Sequence, residues 1–91
     1  MRFVDFLIDF LQEKKEIYTV RRLYYGKAPE VVYVEGVGGC KRVLVKEVRK
    51  EEELEPYVAL SGFDSLDSWV RKIKEFNPSP GNLYLYHLEV I

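Results

Sequence analysis

Apolar and polar positions alternate along this chain with periods that change several times, and each change marks an element. Phe3, Phe6, Leu7, Phe10 and Leu11 recur at helical spacing while Asp5, Asp9, Gln12 and Glu13 take the other side, which predicts an amphipathic helix over Phe3 to Leu11. From Ile17 to Tyr24 the period falls to two, with Ile17, Thr19, Arg21 and Leu23 on one face and Tyr18, Val20, Arg22 and Tyr24 on the other. Both faces are mixed, so this strand is not a plain core strand. Gly26 to Pro29 breaks the chain, Val31 to Glu35 is β-branched and aromatic enough for a second strand, and Cys40 to Val48 makes a third. The glycines at 36, 38 and 39 form the turn between them.

Glu51 to Leu60 reads as a short helical segment with Pro56 in a first turn and Ser61 and Gly62 ending it. Asp64 or Ser65 caps a further helix whose buried stripe is Leu66, Trp69, Val70 and Ile73, with Lys72 and Lys74 suited to its carboxyl end. Asn77, Pro78, Pro80 and Gly81 stop it. The tail from Leu83 to Ile91 is nearly continuously apolar and reads as a strand covered on both faces. The resulting order is helix, three strands, short helix, helix, strand. That order predicts an α+β fold in which helices lie on a small, strongly curved mixed sheet or a partly closed barrel.

Length leaves room for one domain, residues 1–91, and an apolar fraction of 47% is enough to give it a core. The net charge of -1 conceals segregation: residues 14–27 and 41–50 are each predominantly basic, and the run Glu51, Glu52, Glu53 and Glu55 compensates them. A polyanion partner is therefore compatible with the charge, because binding responds to the local field of a patch. Cys40 is the single cysteine, so no intrachain disulfide is possible and no disulfide-linked partner is expected. The first helix is interrupted by Asp5 and Asp9, which argues against a signal peptide or a membrane span. A cytoplasmic protein without a membrane partner is the expectation.

Three features that suggest chemistry have plainer readings. The glycine turn at 36–39 is followed by a strand and lacks the Lys-Ser or Lys-Thr pair of a phosphate loop, so it reads as a hairpin turn. The glutamates at 51–55 have no histidine or second acidic cluster beside them in sequence and read as solvated surface, and neither a metal nor another cofactor is expected. His87 has no nucleophile or second histidine at a recognisable spacing and reads as a hydrogen-bonded structural residue.

The stretch KKEIYTVRRLYYGK, residues 14–27, is what remains. With it, the hairpin ending in Val43-Leu44-Val45-Lys46-Glu47-Val48, the helix entry Ser61-Gly62-Phe63-Asp64-Ser65-Leu66 with Trp69, and the final Leu83-Tyr84-Leu85-Tyr86, the chain resembles the ASCH domain family over nearly its whole length. The resemblance implies a β-barrel of the PUA-like type, a cleft beside it lined by Lys, Thr and Arg side chains, and a role in binding RNA or nucleotides. It also implies, for one branch of the family, hydrolysis of the amide of acetylated cytidine by a Lys, a Thr and a Glu. Lys15 stands four residues before Thr19 where that branch has three, and the acid expected ahead of the second helix is replaced around Gly62.

Two functions of different class follow as expectations. In the first, an RNA- or nucleotide-binding domain, Arg21 and Arg22 donate to phosphate or base edges, Lys14, Lys15 and Lys27 add charge, and Tyr18, Tyr24 or Tyr25 stacks an unpaired base. If the face of Thr19 and Arg21 lines the cleft, Arg22 and Tyr18 point elsewhere, and Arg22 then pairs with the acidic run at 51–55. In the second, a small amidohydrolase acts on an acetylated nucleoside with Thr19 as nucleophile and Lys15 as base. A third expectation, weaker in specifics, has the basic aromatic strand meeting an acidic protein.

Overall fold

The last strand of the chain is an inner strand of its sheet. A computed structural model describes all 91 residues, Met1–Ile91. The strands β1 (Glu16–Arg21), β2 (Glu30–Val34), β3 (Gly38–Val48) and β4 (Leu83–Val90) form one four-stranded sheet in the order β1-β4-β3-β2. Every neighbouring pair is antiparallel, with Thr19 opposite Tyr86, Arg21 opposite Tyr84, and Arg42 opposite Leu88. A bulge between Leu44 and Lys46 shifts the β3–β4 register and adds local twist. The continuous apolar run of β4 is explained by its place: Leu85, Tyr86 and Leu88 are buried and face opposite sides of the sheet.

Helices cover the sheet on both faces. Helix α1 (Asp5–Lys14) packs Leu7 and Leu11 against Ile17, Val34, Cys40 and Leu88. The 3-10 helix (Glu51–Leu60) and helix α2 (Leu66–Phe76) pack Leu54, Trp69, Val70 and Ile73 against Val20 and Leu85 on the other side. Phe63, in the turn before α2, touches both clusters and so wraps round the β1 edge. Ser65 caps α2, its hydroxyl accepting from the Ser68 amide at 3.1 Å while the Ser68 hydroxyl accepts from the Ser65 amide at 3.3 Å. No helix is long and apolar enough to cross a membrane.

Several expectations are corrected. The sheet is purely antiparallel and open, neither mixed nor closed into a barrel, because β1 and β2 stand at opposite edges and do not pair. The gap is spanned instead by the N-terminal segment. The Glu35 amide, just after β2, donates to the Met1 carbonyl at 3.2 Å, and Arg21 at the end of β1 donates to the Arg2 carbonyl at 3.2 Å.

Helix α1 starts at Asp5, two residues later than the apolar spacing suggests, which releases Phe3 from the helical stripe and leaves Phe6 46% exposed. Strand β1 stops at Arg21, because the backbone at Leu23 and Tyr25 bonds to a side chain instead of a strand. Pro56 lies in the middle of a 3-10 helix, not in the first turn of an α-helix.

Candidate functional site

Strand alternation puts Thr19 and Arg21 on the α1 side of β1 and Val20 on the α2 side. Because β1 is an edge strand, nothing in the sheet continues beyond it, and the two helical layers meet there around a cleft of about 430 Å³. That volume lies in the range of small-molecule sites, roughly 300–1,000 Å³. Phe3 and Leu7 from the N-terminal side, Phe63 from the turn, and Trp69, Ile73 and Phe76 from α2 supply the apolar walls. Thr19, Arg21, Arg2, Lys72 and Asn77 supply the polar groups, and no Asp or Glu lines the cleft.

Arg21 is the unusual group in this wall. Its guanidinium carbon lies 4.6 Å from the centroid of the Phe3 ring, one Nη donates to the Arg2 carbonyl, and its Nε is buried with no hydrogen-bond partner. Ion pairs hold Arg2 to Glu35, Arg42 to Glu30, Arg49 to Glu47 and Arg71 to Asp67, whereas Arg21 has no carboxylate. Burial pushes its guanidinium below the ordinary arginine range; the Tyr25 phenol opposes that effect, and the charge of Arg42 adds to it. The remaining cations of the cleft are tethered near its mouth. Arg2 bonds Glu35 at 3.1 Å and Lys72 bonds Glu75 at 3.2 Å, with both acids outside the lining.

The other sequence-predicted residues are placed elsewhere. Lys14 ends α1 beside Glu13 at 3.9 Å, and Lys15 occupies the left-handed position that closes that helix, with φ 67°. Lys15 precedes β1, so Thr19 lies roughly 13 Å further along the extended chain. Neither lysine lines the cleft. Arg22 does not meet the acidic run: its guanidinium donates to the Pro80 carbonyl, while Glu53 takes Lys46 and Glu51 takes Lys74. Tyr18 faces the α2 side, with its ring against Tyr57 and His87. Lys27 is exposed in the connection between β1 and β2. His87 bonds Glu16 at 3.0 Å, in keeping with a structural histidine.

Tyr24 and Tyr25 belong to that same connection, which leads from one edge of the sheet to the other across its α1 face. The Tyr25 ring receives the Arg42 guanidinium at 3.7 Å, and the Tyr24 ring lies 5.4 Å from that of Tyr84. Arg42, only 7% exposed, is further held by Glu30 at 3.2 Å. Phe3, Arg2, Trp69, Lys72 and Phe76 were not legible as site residues. Trp69 reads in sequence as a core position of its helix, and the others carry only the signal of an aromatic or basic residue in or beside a helix, which is common on any helical surface.

No group of three or more His, Cys, Asp or Glu side chains is arranged to hold a metal ion. The site's chemistry is that of one desolvated guanidinium, with two more exposed cations near it, among aromatic walls, suited to an anion that carries a planar ring. The chain matches no protein-family model, and neither curated proteins nor solved structures show significant similarity to it.

Proposed function

We propose that the cleft at the β1 edge binds RNA or a nucleotide, with a phosphate on Arg21 and a base between the aromatic walls. The observation that carries this reading is Arg21 itself, a guanidinium without a carboxylate whose buried Nε lacks a partner in a cleft lined by no acid. A bound phosphate would supply the missing acceptor once the guanidinium turns its Nε edge toward the cleft, and guanidinium binds phosphate through paired, charge-assisted hydrogen bonds. Phe76, 55% exposed, would offer its ring face to a base, with Phe3 and Phe63 beside it and the buried Trp69 behind them, and stacking on aromatic rings is the usual route to single-stranded nucleic acid.

The amidohydrolase alternative has Thr19 in the cleft but no base beside it. Lys15 is not among the lining residues, and no carboxylate replaces it. Turnover of acetylated cytidine that disappears in Thr19→Ala would restore that alternative.

The test is a titration of labelled single-stranded and hairpin RNA against wild type and Arg21→Ala, at low and moderate salt. Binding that weakens as salt rises and falls about tenfold or more in Arg21→Ala is the expected result. Absence of binding at low salt overturns the reading.

A further inference from the structure

The cleft opens beside a second aromatic surface that the preceding reading does not use. Arg21 pairs across the sheet with Tyr84, so their side chains are direct neighbours on the α1 face. The Tyr84 ring lies 5.4 Å from the Tyr24 ring, at an interplanar angle of 51°. Tyr24 is 52% exposed, and Leu23 next to it is 63% exposed. The three side chains thus stand in a row, with Arg21 in the cleft wall and Tyr24 in solvent.

An exposed aromatic ring on a connecting segment is ordinarily mobile, but the segment carrying Tyr24 is tied down on both sides. The Tyr86 hydroxyl donates to the Leu23 carbonyl at 2.9 Å and accepts from the Tyr25 amide at 2.8 Å, so one buried side chain fixes the backbone before and after Tyr24. Arg22 is bonded to the Pro80 carbonyl, which joins this segment to the approach to β4, and the Tyr25 ring is clamped by Arg42. Burial raises the Tyr86 phenol above its ordinary range, which keeps the donor proton in place. The backbone that carries Tyr24 is therefore fixed on both sides, its half-exposed ring rests against Tyr84, and a ring on a fixed backbone loses less freedom when a planar ligand stacks on it.

We infer that the site takes at least two linked nucleotides of a single strand, the first in the cleft with its phosphate on Arg21 and the next stacked on Tyr24. This rests on the nucleotide reading of the cleft and specifies its ligand as a strand segment instead of a free mononucleotide. It also separates the tyrosines. Tyr24 stacks the base, Tyr18 is committed to Tyr57 and His87 on the opposite face, and one side of Tyr25 is covered by Arg42.

The experiment compares adenosine 5′-monophosphate with the dinucleotide pApA by calorimetry and by the fluorescence of Trp69, which lines the cleft. Wild type is expected to bind pApA about tenfold more tightly than the mononucleotide. Tyr24→Ala removes that difference and leaves mononucleotide affinity unchanged, and Tyr24→Phe retains it. Equal affinities for the two probes in wild type, or an equal loss for both in Tyr24→Ala, overturns the two-nucleotide footprint while the cleft reading stands. If neither probe binds wild type, the cleft reading fails and the footprint fails with it.

Discussion

Arg21 rests its guanidinium on the ring of Phe3, 4.6 Å from the centroid, in a cleft where no carboxylate neutralises it. The arrangement is costly for a stand-alone fold. A partly buried charge without a partner loses hydration and regains little of it from one carbonyl and one aromatic face.

Removing the charge while keeping the shape separates stability from binding. Arg21→Met retains the apolar stem against Phe3 and deletes the orphaned Nε. Its stability should equal wild type or exceed it by up to about 1 kcal/mol, which for a domain of this size raises the melting temperature by about 4–8 °C. RNA affinity should fall in the same variant. A clear loss of stability in thermal melts would show that Arg21 is a structural residue.

Gly62, in the turn before α2, lies against Leu7 and Phe10 of α1. Its φ is +87°, and a Cβ there would collide with Leu7 Cδ2. Gly62→Ala combines a strained backbone with overpacking of the α1 contact and should destabilise by roughly 1–3 kcal/mol. The urea midpoint measures it. Truncating the clashing partner in Gly62→Ala/Leu7→Ala should cost less than the sum of the single changes, because the two share one contact.

Tyr86→Phe keeps the buried ring and removes only the hydroxyl that bonds Leu23 and Tyr25. Leaving that carbonyl and that amide unpaired should cost about 1–2 kcal/mol. Hydrogen exchange at the Tyr25 amide should accelerate more than exchange in β4, since the change frees the connection without breaking the sheet. Uniform acceleration would argue against a local clamp.

Glu53 sets an acid limit. The Arg49 amide donates to its carboxylate at 3.1 Å; together with the Lys50 amide and the Lys46 ammonium, and against partial desolvation, this holds it below the ordinary glutamate range. A depressed folded value means stability that is complete above the unfolded value, about 4.3, and lost as pH falls through the folded one. Wild type should therefore lose more stability than Glu53→Gln between about pH 5 and pH 3. Parallel pH profiles for the two proteins would remove Glu53 from that account.

The alternation of residues 17–21 makes Thr19 and Arg21 one face of a strand, and the structure puts that face in the cleft. The period of α2 likewise yields Trp69, Val70 and Ile73 as its buried side. What the periods do not carry is how the edges of the sheet end. Phe3 falls at helical spacing with Phe6 and Leu7, yet it precedes α1 and lies on Arg21, because the segment before Asp5 is drawn to the β2 and β1 ends through Met1 and Arg2. Residues 22–24 continue the alternation of β1, but a tyrosine hydroxyl from a distant strand takes their neighbouring backbone groups. Such long-range bonds leave no local trace. An open sheet and a barrel also share the same alternation within each strand, and only the pairing of the edges tells them apart.

The position of β4 between β1 and β3 bears on how the chain acquires its fold during synthesis. The first three strands leave the ribosome with β1 lacking any partner and with β2 and β3 as a lone hairpin, which is marginal in water. Residues 83–90 then join β1 to that hairpin in one event that closes very long loops, a slow step that rewards itself only when both seams form. A nascent chain halted before Leu83 would already carry Thr19, Arg21 and every aromatic wall of the cleft, and still have no sheet edge on which to assemble them.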